Sequence, residues 1–236
     1  MKKAEFDAFA AEYAAMHEKS LSNYGSDTDY FADYKIADIA RELDGRRVRA
    51  HTRRALDFGA GCGNSVEPFR RRLPDVALTC VDVSEESLAI GRAAHPELAR
   101  FVLYDGTYLP LPQASIDVAF SACVFHHIAH EEHHAQLCQL HRVLRDDGLL
   151  FIFEHNPLNP FTRHVVNRCP FDANAHLIRA GVMKKRIEIA GFHNAKIRYR
   201  LFVPPSLKAI EGIERALTWL PVGAQYYVVA EKRSSG

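Results

Sequence analysis

Two groups of residues in this chain have the types and spacing that chemistry needs. The first is the run Asp57-Phe58-Gly59-Ala60-Gly61-Cys62-Gly63-Asn64. Glycines at every second position let a backbone turn sharply and approach a ligand closely. The short apolar run ALDF (55–58) precedes them, and a helix is expected from about Ser65 to Leu73. A loop that leads from a strand into a helix N-terminus favours a carboxylate or a phosphate. Nicotinamide and flavin fingerprints space their glycines G-x-G-x-x-G. Here they fall as G-x-G-x-G, which disfavours a dinucleotide. Taken alone, the loop fits several nucleotides, or a tight turn with no ligand.

Two carboxylates narrow the choice. Asp82 falls at the end of a second apolar run, ALTCVDV (77–83), where it can accept both hydroxyls of a ribose. It could instead cap the next helix, although Ser84 is better placed for that. Asp105 closes a third run, RFVLYD (100–105), and Gly106 follows it.

The second group is rich in histidine: His126, His127, His130, His133 and His134, with Glu154 and His155 further on. Spacings of three and four could bind zinc or nickel on a helix. No cysteine or carboxylate pattern completes such a site, so no metal is assigned. The polar start of an amphipathic helix with a core face of Leu137, Leu140 and Leu144 accounts for most of these residues. A neutral imidazole also suits a general base at ordinary pH. His126 and His155 are the two candidates, each at the end of an apolar run.

The elements that must hold these residues follow from periodicity. Strands are expected at 55–58, 77–83, 100–105, 115–125, 149–155, 196–203 and 225–232. Helices are expected at about 65–73, 85–94, 130–145, 173–190 and 207–217. Asp147-Gly148 reads as the glycine stop of the 130–145 helix. Strand and helix alternate and the strands are almost continuously apolar, the mark of a parallel sheet covered on both faces. Residues 1–49 read as a helical N-terminal cap, with Phe6, Phe9, Tyr13 and Met16 at helical spacing and a second helix from Tyr30 to Leu43. Residues 50–236 form the α/β domain, with a Pro-rich insertion at about 156–172.

Composition sets outer limits. With 236 residues the chain can form one large domain or a domain with a cap. A formal charge of +1 gives no overall footprint for nucleic acid or an anionic membrane. Thirteen histidines would make it cationic in mild acid. Five cysteines without C-x-x-C pairing argue for reduced thiols and a cytoplasmic protein. MKKAEFDAFAAEY has no apolar stretch after its lysines and does not read as a signal peptide. No apolar run reaches membrane-spanning length.

The glycine spacing, with Asp57 ahead of it, resembles motif I of the class I methyltransferases that use S-adenosylmethionine (SAM). SIDVAFSACVFHHI (115–128) is similar to motif IV of the same family, and the likeness covers residues 55–155. It implies a Rossmann-like α/β fold: a seven-stranded, mostly parallel sheet with an antiparallel last strand. It also implies SAM as cofactor and S-adenosylhomocysteine as product. Asp57, Gly59, Ala60, Gly61, Gly63, Asp82, Val83, Asp105, Gly106 and Ser121 would bind the cofactor, with Asp82 on the ribose, Val83 on the adenine face and Asp105 on the adenine amine. The wider chain looks like methyltransferases of small-molecule, quinone or lipid-sugar biosynthesis. The implied acceptor is a small organic molecule, methylated at oxygen, by a monomer or homodimer. The alternatives are a SAM-binding protein without transferase activity and a protein- or RNA-directed enzyme. Motifs of the amino-directed DNA enzymes (Pro-Pro-aromatic) and of the cytosine-C5 enzymes (Pro-Cys) are absent. Where some quinone enzymes hold a metal, this sequence has Ala122 and His126.

Overall fold

A computed structural model describes residues 28–168, 175–202 and 216–233. The expected helix in the first 27 residues and residues 207–215 of the one expected at 207–217 lie outside the described residues. The observed elements are α1 (Thr28–Gly45), β1 (Arg54–Phe58), α2 (Val66–Arg72), β2 (Ala77–Asp82), α3 (Glu85–Ala94), β3 (Arg100–Leu103) and β4 (Ile116–Ala122). They continue with α4 (His133–Val143), β5 (Leu144–His155), α5 (Pro160–Val166), α6 (Ala180–Ile189), β6 (Phe192–Arg200) and β7 (Gln225–Lys232).

The strands form one sheet in the order β3-β2-β1-β4-β5-β7-β6. Strands β1 to β5 are parallel, and β7 inserts antiparallel between β5 and β6. This is the Rossmann-like architecture of a doubly covered sheet. Order reverses between β1 and β4, so the crevice beyond their carboxyl ends is where such a fold binds ligands.

The apolar strand runs follow from burial on both faces. On one face Leu56, Phe58, Leu150, Ile152, Tyr226 and Val228 pack with Leu137 and Leu140 of α4 and Met183 and Ile187 of α6. On the other, Ala55, Phe151, Phe153 and Tyr227 pack with Ile36, Ile39 and Leu43 of α1 and Phe69 of α2. Successive residues of each strand thus serve opposite cores. Truncating a fully buried ring such as Phe151 would cost about 3–5 kcal/mol.

Several boundaries moved. The helix expected to reach residue 145 ends at Val143, and Leu144 already pairs with Ile116 as the start of β5. Asp147-Gly148 is therefore no helix stop. Asp147 takes the left-handed conformation (φ 62°) inside an irregular stretch of β5. Gly148 is needed there for space, since a Cβ would stand 2.7 Å from the Arg145 carbonyl oxygen. Strand β6 begins four residues earlier than expected, at Phe192. The helix placed at 173–190 begins only at Ala180, and Gly191 follows its end with φ 97°. Among the described residues no helix is long and apolar enough to cross a membrane.

Candidate active site

The glycine loop is built by three demands on one short segment. Gly59 and Ala60 donate their N–H groups to the carbonyl of Val81, which ties the loop to the neighbouring strand. Gly59, Gly61 and Gly63 all have positive φ, at 78°, 53° and 82°. Gly59 is also crowded: a Cβ there would lie 2.5 Å from a methyl of Val124. At Gly63 it would lie 3.0 Å from the Phe101 ring. Gly61 differs, because nothing stands within 4 Å of where its Cβ would be. The same holds at Gly106, with φ 86°. These two glycines open onto space, as a cradle for a bound molecule requires.

Three carboxylates lie at or just past the ends of the first three strands. Asp57 is buried at the end of β1 and accepts the Ser65 hydroxyl. Burial pushes its carboxyl up to about 7, and the charge of Asp82 adds to that, against the Ser65 hydroxyl and Lys35. Asp82 ends β2 and accepts the Gly61 N–H at 2.8 Å and the Ser84 N–H at 2.9 Å. Ser84, not Asp82, caps α3, accepting the N–H of Ser87. Val83 is buried beside Asp82. Strand β3 ends at Leu103, so Asp105 lies two residues beyond it in an exposed turn. Its Oδ1 accepts the N–H groups of Thr107 and Tyr108, and these bonds hold its carboxyl below the usual range. Ser121 is fully buried on β4, and its hydroxyl has no hydrogen-bond partner among the described residues.

The histidines gather at the carboxyl ends of β4 and β5. His126 sits in a 3-10 turn (Phe125–His127) directly after β4. Its Nδ1 is 2.6 Å from Oε2 of Glu154, and the two side chains are 1% and 0% exposed. The other oxygen of Glu154 accepts the Phe125 N–H at 2.8 Å. Burial raises the carboxyl of Glu154, but His126, with His155 and His127, outweighs it and leaves the net shift downward. An ionised carboxylate only accepts, so the proton of His126 belongs on Nδ1 and the lone pair on Nε2. The His155 ring lies 5.4 Å from that of His126. Its Nδ1 receives Gln225 Nε2 at 3.3 Å, while Oε1 of the same glutamine accepts the Tyr34 hydroxyl. His155 thus keeps its proton on Nε2.

Three features were beyond the reach of sequence reading. Glu154 pairs with a histidine 28 positions away. Lys35 comes from α1 to the edge of the site, near Asp57. His176 donates its backbone N–H to the carbonyl of His126. The strand-end positions of His126, His127, Glu154 and His155 point to one mouth of the site, but not to which histidine Glu154 pairs with. His130 and His133 meet edge to face, and His133 is held between the Ile128 carbonyl and Arg186. No group of three metal-ligating side chains forms among the described residues.

A family model described as "Methyltransferase domain" matches residues 56–152, the stretch from β1 through most of β5. Residues 56–152 thus carry a domain similar to those of the class I SAM-dependent methyltransferases. The chain therefore holds a domain of a type that uses SAM as cofactor. It resembles an uncharacterised methyltransferase of Oceanobacillus iheyensis, with 26% identity over 148 residues, 62% of this chain and 65% of that protein. It also resembles a malonyl-[acyl-carrier protein] O-methyltransferase of Laribacter hongkongensis, 29% identical over 167 residues, 66% of this chain and 50% of that one. The chain thus spans only part of the length of the curated relatives it matches. Among solved structures it is similar to a SAM-dependent methyltransferase of Thermotoga maritima, described as a possible histamine N-methyltransferase. That likeness has a TM-score of 0.69 at 18% identity and covers 98% and 99% of the two chains, so it bears on the fold.

Proposed function

We propose that this methyltransferase transfers a methyl group from SAM to an oxygen of a small organic acceptor, with His126 as the general base. The observation that carries the reading is the buried pair of His126 and Glu154 beyond the carboxyl ends of β4 and β5. It puts the imidazole in the tautomer that takes a proton at Nε2 and stabilises the imidazolium that forms, as the carboxylate of a catalytic triad does. His155 is the less suited of the two candidates, because Gln225 occupies its Nδ1. The Laribacter relative, by its name, also methylates oxygen.

The residues fit the cofactor. Gly61 and Gly106 leave room for it, Asp82 stands where a ribose would be held, and Asp57 would give up its proton to face a cationic molecule. Val83, Asp105 and Ser121 complete the proposed contacts. SAM supplies a methyl that is already activated by its sulfonium. The protein's work is then to align the acceptor oxygen and remove its proton.

Calorimetric titration with SAM, S-adenosylhomocysteine and NAD tests the first part, and NAD binding without SAM binding would overturn it. The second part is tested by S-adenosylhomocysteine release on a panel of small hydroxylated acceptors. His126→Gln is expected to lower kcat by roughly 100-fold or more with little change in SAM affinity. His155→Gln should cost less. If His155→Gln alone abolished turnover, the base would be His155; if neither mattered, alignment alone would carry the reaction.

A further inference from the structure

Immediately after His155 the chain runs into a rim whose shape is set by asparagines. Asn156 Nδ2 donates to the carbonyls of Pro221 and Gly223, at 3.1 and 2.8 Å. Asn159 Nδ2 donates to that of Val222 at 2.7 Å, and the Thr162 hydroxyl to that of Ala224 at 2.8 Å. These bonds lock segment 156–166 to the turn at 217–224. The locked rim exposes large apolar side chains. Leu158 and Val222 are each 54% exposed, Phe161 is 56% and Trp219 is 69%. Trp219 is the only tryptophan in the chain. Arg163, His164 and Arg168 are exposed on the same segment. Neither 156–168 nor 216–224 contains an Asp or Glu. The net charge of +1 hides this local asymmetry.

We infer that this rim is an interfacial membrane-binding face that seats on an anionic lipid surface. Apolar aromatic anchors flanked by cations, with no acidic residue among them, match a surface that is anionic outside and apolar beneath. A second copy of the chain matches less well. A twofold contact would set the Arg163 and Arg168 of one subunit near those of the other. The hydrogen bonds explain why the apolar groups stay out of the core: the backbone that carries them is fixed at the edge of β5 and β7. Leu158 lies three residues past His155, so a docked face would bring the lipid phase beside the site and favour an amphiphilic acceptor. The inference rests on the rim alone and stands or falls separately from the methyl-transfer reading.

The test uses the full chain without SAM, and Trp219 as its single fluorophore. Vesicles of equal phosphatidylglycerol and phosphatidylcholine are compared with vesicles of phosphatidylcholine alone. The expected result is co-sedimentation with the anionic vesicles, a blue shift of Trp219 emission, and weakening of both by salt. Phe161→Ser should lower partitioning about tenfold. The double variant Arg163→Gln, Arg168→Gln should also lower it about tenfold. The arginine double variant should keep the wild-type melting temperature, because both of its side chains are exposed; for Phe161→Ser, partitioning is read at a temperature where the variant is shown to be folded. Failure to bind anionic vesicles would overturn the inference. So would a blue shift that grows with protein concentration in the absence of lipid, together with a dimeric mass, or binding to an acidic carrier protein but not to vesicles.

Discussion

A carboxylate taken out of water keeps its charge only when an opposite charge or enough donors stand beside it. Glu154 and Asp57, both buried at strand ends, illustrate the two outcomes. Glu154 has His126 at 2.6 Å and is shifted downward. Asp57 has one hydroxyl donor and a second carboxylate nearby, and is pushed up to about 7. Without cofactor, folded Asp57 therefore holds a proton between its ordinary 3.8 and about 7, where the unfolded chain has released it. The stability contributed by that proton is fully present below the unfolded value and is lost as pH rises through about 7. A cation placed near Asp57 reverses the preference and expels the proton. SAM affinity should therefore rise with pH up to neutrality, with proton release on binding. Asp57→Asn should flatten that dependence; calorimetry in buffers of different ionisation enthalpy measures both.

Within the loop between β1 and α2, the glycines do unlike jobs, and substitution separates them. Gly59→Ala would put a methyl at positive φ against Val124. It should destabilise the protein by about 1–3 kcal/mol, read in urea unfolding. Gly61→Ala meets no neighbour and should cost only about 1 kcal/mol of backbone strain. Its methyl would project into the open cradle. SAM affinity should thus fall further than stability for Gly61→Ala, and the reverse should hold for Gly59→Ala. Equal behaviour of the two variants in both measurements would argue against Gly61 lining the cofactor space.

Across the whole molecule, α1 is fastened to the far edge of the sheet by one buried ion pair. Arg200 of β6 reaches Asp38 of α1 at 2.7 Å, across 162 positions, and both side chains are almost fully buried. Burial raises the carboxyl of Asp38, against the pull of Arg200 and Arg41. Arg200→Met would leave that carboxylate with Arg41 alone and should cost about 3 kcal/mol. The loss should be larger at neutral pH than in acid, where a protonated Asp38 needs no partner. Urea denaturation at two pH values checks this. Because α1 also supplies Tyr34 to Gln225 and hence to His155, the same variant should raise the KM for acceptor.

The amino-acid sequence by itself determined the alternation of strands and helices, the glycine loop and the strand-end positions of Asp57 and Asp82. Each is a local matter: apolar runs need burial on two faces, and positive φ needs glycine. Local signals misled where contacts between distant segments prevailed. Asp147-Gly148 has the form of a helix stop, yet pairing with β4 draws the chain into β5 from Leu144 onward. Sheet order, with β7 slipped between β5 and β6, was equally hidden, since pairing partners lie far apart in the chain. Tertiary structure alone decided which histidine meets Glu154. Proximity of side chains 28 positions apart depends on β4 and β5 lying side by side, and on nothing that either segment carries alone.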